Sequence, residues 1–312
     1  MKRQLFLIFF FALLFVCAPS VGRAQSNSNN WADYIGNEYE TIPNITYRVA
    51  NNSDVKLDVY LPRNRPKPLP TVMFIHGGGW VEGRKEADVL LLLPYLSMNW
   101  AVVNVEYRLA NNSLAPAAVE DCRCALRWVI DHAKNYNFDR SKIVVTGFSA
   151  GGHLALMTGM LADNSPFDHQ CPTNQSIRFP TGVEPPMRVA AIINWYGITD
   201  VADLLAGENA KHYAIEWFGG LDNREELARR LSPINNVRAG LPPVITIHGD
   251  SDDLVPYSHA TRLQAALNQA NVANQLITIR GGHHGGFSRQ DMVNNYSAIK
   301  AFLSKYGINS NN

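Results

Sequence analysis

Apolar and polar residues alternate at 44–49 and again at 56–61, on either side of Asn51-Asn52-Ser53-Asp54, which predicts two strands joined as a hairpin. Beyond the Pro-rich stretch 62–70 the alternation gives way to short apolar runs at 71–75, 100–107, 142–146, 188–195, 244–248 and 275–280. Runs of that length, closed off by Gly, Asn or Asp, fit strands buried on both faces. Between them the spacing changes to three and four. At 120–136 Ala125, Trp128, Val129 and His132 share one side, and similar patterns at 152–161, 258–270 and 291–306 predict helices. A mixed helical stretch fills 199–237, and periodicity lapses in the Pro- and Asn-containing stretch 163–186. Strands alternating with helices predict an α/β fold, a mostly parallel twisted sheet with helices on both faces. Both irregular stretches are expected to lie as loops over one face. The expectation is one catalytic domain over 41–307, with an arm at 25–40 before it and no internal repeat.

The first residues depart from this pattern. Lys2 and Arg3 precede an unbroken apolar run, 5–16, and small residues follow up to Gly22-Arg23-Ala24. That layout is a signal peptide, expected at 1–24 and cleaved, with the mature chain secreted or periplasmic. The apolar run falls short of the roughly 20 residues a membrane span needs, so no stable membrane anchor is expected. Cys17 leaves with the leader, and Cys122, Cys124 and Cys171 remain. Cys122 and Cys124 sit on one predicted helix facing different sides and cannot easily pair. Either a bridge from one of them to Cys171 or three buried thiols fits the sequence. The chain of 312 residues is 46% hydrophobic and carries 28 basic against 27 acidic side chains, a net charge of +1 that offers no field for nucleic acid.

The chemistry concentrates at strand ends. Gly147-Phe148-Ser149-Ala150-Gly151 follows an apolar strand and opens an apolar helix. That is the setting of a nucleophile elbow, where a sharp turn lifts a serine hydroxyl off the sheet. His76-Gly77-Gly78-Gly79-Trp80 follows another strand, and a glycine run lets backbone amides turn toward a developing alkoxide. The candidate oxyanion donors are Gly78 and Gly79, joined by Ala150. His76 reads as a brace for this loop. An acid and a base are expected later, in that order. Asp250, Asp252 and Asp253 follow the strand 244–248, and His283 and His284 follow the last strand, so both clusters lie where open α/β sheets bind ligands. Composition cannot choose within either cluster, and no metal-ligand spacing is present.

From LDVYLP at 57–62 to HGGF at 284–287 the chain resembles the esterase/lipase group of the α/β-hydrolases. Within it the chain is most similar to small carboxylesterases and to the acetyl-xylan and feruloyl esterases of BD-FAE type. The strings that carry the likeness are HGGGW, the YRLA segment at 107–110, GFSAGGHLA, HGxxDxxVP and a GHxGGF-like ending. The resemblance puts the triad on Ser149, Asp252 and His284, and makes His153 structural. It implies no cofactor and no metal. The chain departs from the capped relatives: too few residues precede the first strand for an N-terminal cap, so no large cap domain is expected. It also reads EYRLANN where those relatives tend to read DYRLAPE.

These readings imply a serine carboxylic-ester hydrolase acting through an acyl-enzyme on a small-molecule or oligosaccharide ester. Short-chain acyl esters and acetyl or feruloyl groups of plant polysaccharide fit equally. Trp80, Trp195, Tyr196, Trp217 and Phe218 are the aromatics that could line the site or simply complete the core. An amidase or peptidase of the same fold, and a non-catalytic binding module on this scaffold, are the alternatives. Acyl and alcohol specificity, oligomeric state and the role of 163–186 are not written in the sequence.

Overall fold

The computed structural model describes residue 33, residues 35–171 and residues 185–309. The leader, Cys17, most of the arm and the middle of the 163–186 stretch lie outside the described residues. The strands are β1 (Tyr39–Ala50), β2 (Ser53–Pro62), β3 (Leu69–Ile75), β4 (Ala101–Val105), β5 (Phe138–Phe148), β6 (Ala191–Trp195), β7 (Val244–Gly249) and β8 (Asn274–Ile279). They form one sheet in the order β1-β2-β4-β3-β5-β6-β7-β8. The pairs β1–β2 and β2–β4 are antiparallel and the rest are parallel. The expected hairpin forms, turning at Asn51 and Asn52, whose φ values of 49° and 56° asparagine tolerates better than most residues. β1 begins at Tyr39 rather than 44 and so takes in the end of the expected arm. Tyr39 pairs with Pro62, and its hydroxyl donates to the Leu96 carbonyl at 2.7 Å.

Alternation along the central strands divides the core. Met73, Ile75, Val145 and Ile192 point to one face, and Val72, Phe74, Val144 and Ile193 to the other. On the first face pack α1 (Ala117–Asp131), α2 (Ala150–Met160), α3 (His212–Phe218), α4 (Arg224–Arg230) and α5 (Ser258–Gln269). The second is covered by α6 (Arg289–Lys305) and by two short helical turns, Val89–Leu92 and Leu93–Leu96. Those turns were not legible, because their run of leucines has no polar positions to give it a period. Every residue of α2 is buried, which is why that helix has no polar stripe. The stretch 199–237 becomes α3 and α4 with connecting turns, short pieces over one face as expected.

Buried polar groups fasten the elements beside the sheet. Asp121 on α1 is buried and receives Arg48 Nη1 from β1 at 2.8 Å and Arg108 Nε and Nη2 at 2.8 Å each. Pairing of this kind is what allows a charge into the interior. Of the open cysteine alternatives the structure takes one: Cys124 bridges to Cys171, and Cys122 stays buried and unpaired. Two positions apart on a helix turn side chains by roughly 200°, so only one of the two can meet the loop at 171. No helix among the described residues is long and apolar enough to cross a membrane.

Candidate active site

Ser149 stands between the end of β5 and the start of α2, with φ 56° and ψ −120°. This region is strained for any residue with a Cβ, and surrounding structure must hold it there. The flanking glycines make the close packing possible. A Cβ on Gly151 would lie 2.1 Å from the Ile75 carbonyl oxygen, and one on Gly147 2.4 Å from that of Gly151. With no side chain at either place, α2 starts hard against the end of β3. The Ser149 N–H donates to the Trp195 carbonyl at 2.9 Å, tying the turn to β6. The result is the strand–turn–helix elbow the sequence predicts.

His284 Nε2 lies 2.8 Å from Ser149 Oγ, and His284 Nδ1 lies 2.8 Å from Asp252 Oδ2. The neighbouring candidates stand apart from this line. His283 is exposed, and so is Asp250, which accepts the Gly281 N–H at 2.6 Å. Asp253 is exposed as well. The Asp252 side chain is fully buried, and its Oδ1 accepts the Leu254 and Val255 N–H groups at 2.9 Å each. Burial alone would raise this carboxyl, but hydrogen bonds from His248, His284 and the Val255 amide outweigh it and hold Asp252 well below the usual carboxylate range. Facing a carboxylate, His284 Nδ1 carries the hydrogen, which leaves Nε2 to accept from the serine; the partners assign this tautomer. The sequence reading passed over His248, although it belongs to the same His-Gly string as Asp252. Its Nε2 lies 3.2 Å from Asp252 Oδ2.

The glycine loop after β3 turns through positive φ at Gly78 (108°), Gly79 (58°) and Trp80 (63°). A Cβ on Gly78 would stand 2.0 Å from the Glu82 carbonyl oxygen, so no other residue fits this path. The Val81 and Glu82 N–H groups donate to the Gly78 carbonyl at 3.0 Å each. The N–H groups of Gly78, Gly79 and Ala150 have no acceptor among the described residues. Behind the loop His76 is buried, with Nδ1 2.8 Å from the Gly77 carbonyl, Nε2 3.2 Å from Glu106 and its ring stacked on Tyr107. That is the bracing role expected of it. His153 is buried too. The Trp80 indole donates to its Nδ1 at 3.1 Å, and its own Nε2 donates to the Leu231 carbonyl at 2.7 Å. Burial pushes its pKa down to about 4, so the ring is a neutral strut.

Ser149 and His284 open on a cavity of about 590 Å³ whose walls include the glycine loop, Asp88, Leu91, Tyr196, Tyr213 and Leu254. Of the five aromatics named from the sequence, Tyr196 alone lines it. Trp80, Trp195, Trp217 and Phe218 are fully buried and complete the core. Phe148 and Tyr213 line the cavity and were missed. Tyr196 has φ 38°, a strained conformation for a bulky residue, and its ring meets the His284 ring edge-on at 4.7 Å. Burial, with Asp88 and Asp252 nearby, raises its phenol well above the ordinary value. Burial also raises the Asp88 carboxyl, partly offset by His76 and the Gly77 amide. A larger groove of about 780 Å³ lies by Phe167 and Arg230, and no histidine lines it. The described part of 163–186 contributes nothing to the wall of the Ser149 cavity. Among the described residues no cluster of His, Cys, Asp or Glu could hold a metal ion.

A sheet of this order, with a serine elbow after β5 and an aspartate and a histidine in the loops after β7 and β8, defines an α/β-hydrolase. The chain belongs to the BD-FAE family, whose model matches residues 57–267. It is 29% identical over 236 residues to the esterase LipC of Mycobacterium tuberculosis, an alignment covering 73% of this chain and 56% of that relative. The chain therefore spans little more than half of LipC. Among solved structures it resembles a truncated carbohydrate esterase from gut microbiota, with TM-score 0.67 and 27% identity over 84% of this chain and 96% of the other. It also resembles a thermophilic esterase from the planctomycete Thermogutta terrifontis with propionate bound. There the TM-score is 0.71 and the identity 25%, over 87% of this chain and 96% of that one.

Proposed function

We propose that this protein is a carboxylic-ester hydrolase working through an acyl-enzyme on Ser149. The observation that carries the reading is the unbroken line from Ser149 Oγ through His284 to Asp252, at 2.8 Å and 2.8 Å. His284 Nε2 takes the serine proton as Oγ attacks the ester carbonyl carbon, and Asp252 stabilises the imidazolium that forms. The carbonyl oxygen becomes an oxyanion and receives the Gly78, Gly79 and Ala150 N–H groups, each such donor contributing roughly 3–4 kcal/mol to the transition state. The alcohol leaves with the proton from His284. Water, deprotonated by the same imidazole, then attacks the acyl-serine, and the acid departs as Ser149 Oγ takes that proton back from His284.

The substrates are short-chain acyl esters, or acetyl and feruloyl groups on plant polysaccharide. The carbohydrate-esterase likeness supports the second class. The protein acts as one catalytic domain outside the cytoplasm. Its leader supports export, and the Cys124–Cys171 bridge suits an oxidising compartment. The test is turnover of a p-nitrophenyl acyl ester series beside acetylated and feruloylated xylan fragments. Wild type is expected to release acid, with Ser149→Ala reduced at least 10⁴-fold. Equal inactivity of both proteins on every ester overturns the reading.

A further inference from the structure

His248 lies within β7, next to its C-terminal Gly249, and its side chain is completely buried. Nε2 lies 3.2 Å from Asp252 Oδ2 and 3.0 Å from the Val255 carbonyl oxygen, whereas Nδ1 is buried with no hydrogen-bond partner. A hydrogen on Nδ1 would meet no acceptor among the described residues, so the hydrogen belongs on Nε2, shared between two acceptors. Asp252 Oδ2 then receives two imidazole N–H groups, from His248 and His284, while Oδ1 receives two amides. We propose that His248 is a positioning residue for the hydrolytic site, a neutral donor that fixes the Asp252 carboxylate and draws part of its charge away from His284.

This inference rests on the triad reading and adds a second imidazole to it. The other ionisable groups around the pair are Tyr257, edge-on to His248 at 5.8 Å, Tyr196 beside His284, and, lining the cavity His284 opens on, His212 and Tyr213 on α3 with His76, Glu82, Arg84 and Asp88 from the segment after β3. Asp250 and Asp253 flank the loop in solvent, and Lys211 is tied to the Asp253 carbonyl at 2.8 Å. None of these donates to Asp252 Oδ2. A carboxylate deprived of the His248 donor attracts the His284 imidazolium more strongly, so His284 gives up its proton at higher pH. A side chain that merely fills space would change stability, or scale activity equally at every pH.

The experiment compares pH profiles of kcat/KM for wild type, His248→Leu and His248→Gln on one aryl acetate. His248→Leu is expected to move the acid limb up by about half a unit to one unit. His248→Gln, which returns an N–H near the Nε2 position, is expected to bring the limb back to within a few tenths of wild type. An acid limb unmoved in His248→Leu, or moved as far in His248→Gln, overturns the proposal. Long-range ¹⁵N–¹H spectra of wild type decide it even if His248→Leu does not fold. The Nε2–H tautomer is expected for His248, and the Nδ1–H tautomer overturns it. Asp252→Asn keeps the two levels apart. If that variant retains full activity the triad reading fails, whereas an inactive Asp252→Asn beside an unmoved limb in His248→Leu fails this inference alone.

Discussion

Two places of positive φ, strained Ser149 at 56° and Gly78 at 108°, where only glycine fits, bring the candidate hydroxyl and the candidate oxyanion donors to one cavity. Each was legible because such backbone leaves a local mark, glycines at fixed offsets beside a serine or within a loop. For Gly78→Ala, a Cβ 2.0 Å from the Glu82 carbonyl oxygen forces the loop to move. The donors leave their places, and kcat is expected to fall about 10²- to 10³-fold with KM little changed. Steady-state kinetics check this, and a kcat within threefold of wild type would detach Gly78 from the oxyanion. The acid and base were legible as clusters only. Asp250, Asp252 and Asp253 are the same residue type in one loop. What separates them is which way the backbone aims each carboxylate, which the resemblance could suggest and composition could not. The histidines allow a direct comparison. His284→Ala is expected to lose at least 10⁴-fold in kcat, while exposed His283→Ala stays within about twofold. Near-full activity in His284→Ala would remove it from the mechanism.

Strands and long helices came through because burial on two faces or one imposes a period, whereas the helical turns at 89–96 between β3 and β4, VLLL followed by LPYL, carry apolar residues on exposed and buried sides alike and so show none. Pairing across long separations was equally hidden. Cys124 and Cys171 are 47 positions apart, and only the approach of α1 to the loop after α2 decides for Cys124 over Cys122. Closing a loop of that length in the unfolded chain is worth roughly 4 kcal/mol in the chain-entropy model, with typical measured values of about 2–4 kcal/mol. Cys124→Ser together with Cys171→Ser is therefore expected to lower unfolding stability by about that amount in a denaturant titration. Ester turnover at 25 °C should persist, since neither cysteine lines the Ser149 cavity. An unchanged midpoint would mean that the bridge constrains nothing the fold does not already hold.

At the scale of the whole molecule, nearly equal numbers of acidic and basic groups leave no large self-repulsion to govern stability against pH. The control passes to a few buried groups: the resemblance marks His153 as structural but says nothing of its burial, and nothing in the sequence singles out His259. Burial lowers both to about 4; His259 Nδ1 accepts the Thr199 N–H at 3.0 Å, and its Nε2 lies 3.2 Å from Asp203. In the unfolded chain each takes up a proton near pH 6.5, while the folded chain refuses it until about pH 4. Their contribution is therefore complete above about pH 6.5 and is lost progressively as the pH falls toward 4. By linkage the loss between pH 7 and 5 is roughly 2 kcal/mol for each histidine. Asp252 does not share this window: its carboxyl is also lowered, so what it contributes disappears only in much stronger acid. Unfolding at pH 5 should accordingly take up about two protons from these rings, with a midpoint clearly below that at pH 7. Calorimetry in buffers of different ionisation enthalpy measures both quantities. A midpoint that does not move between pH 7 and 5, with no proton uptake, would show that neither ring is held neutral by the fold.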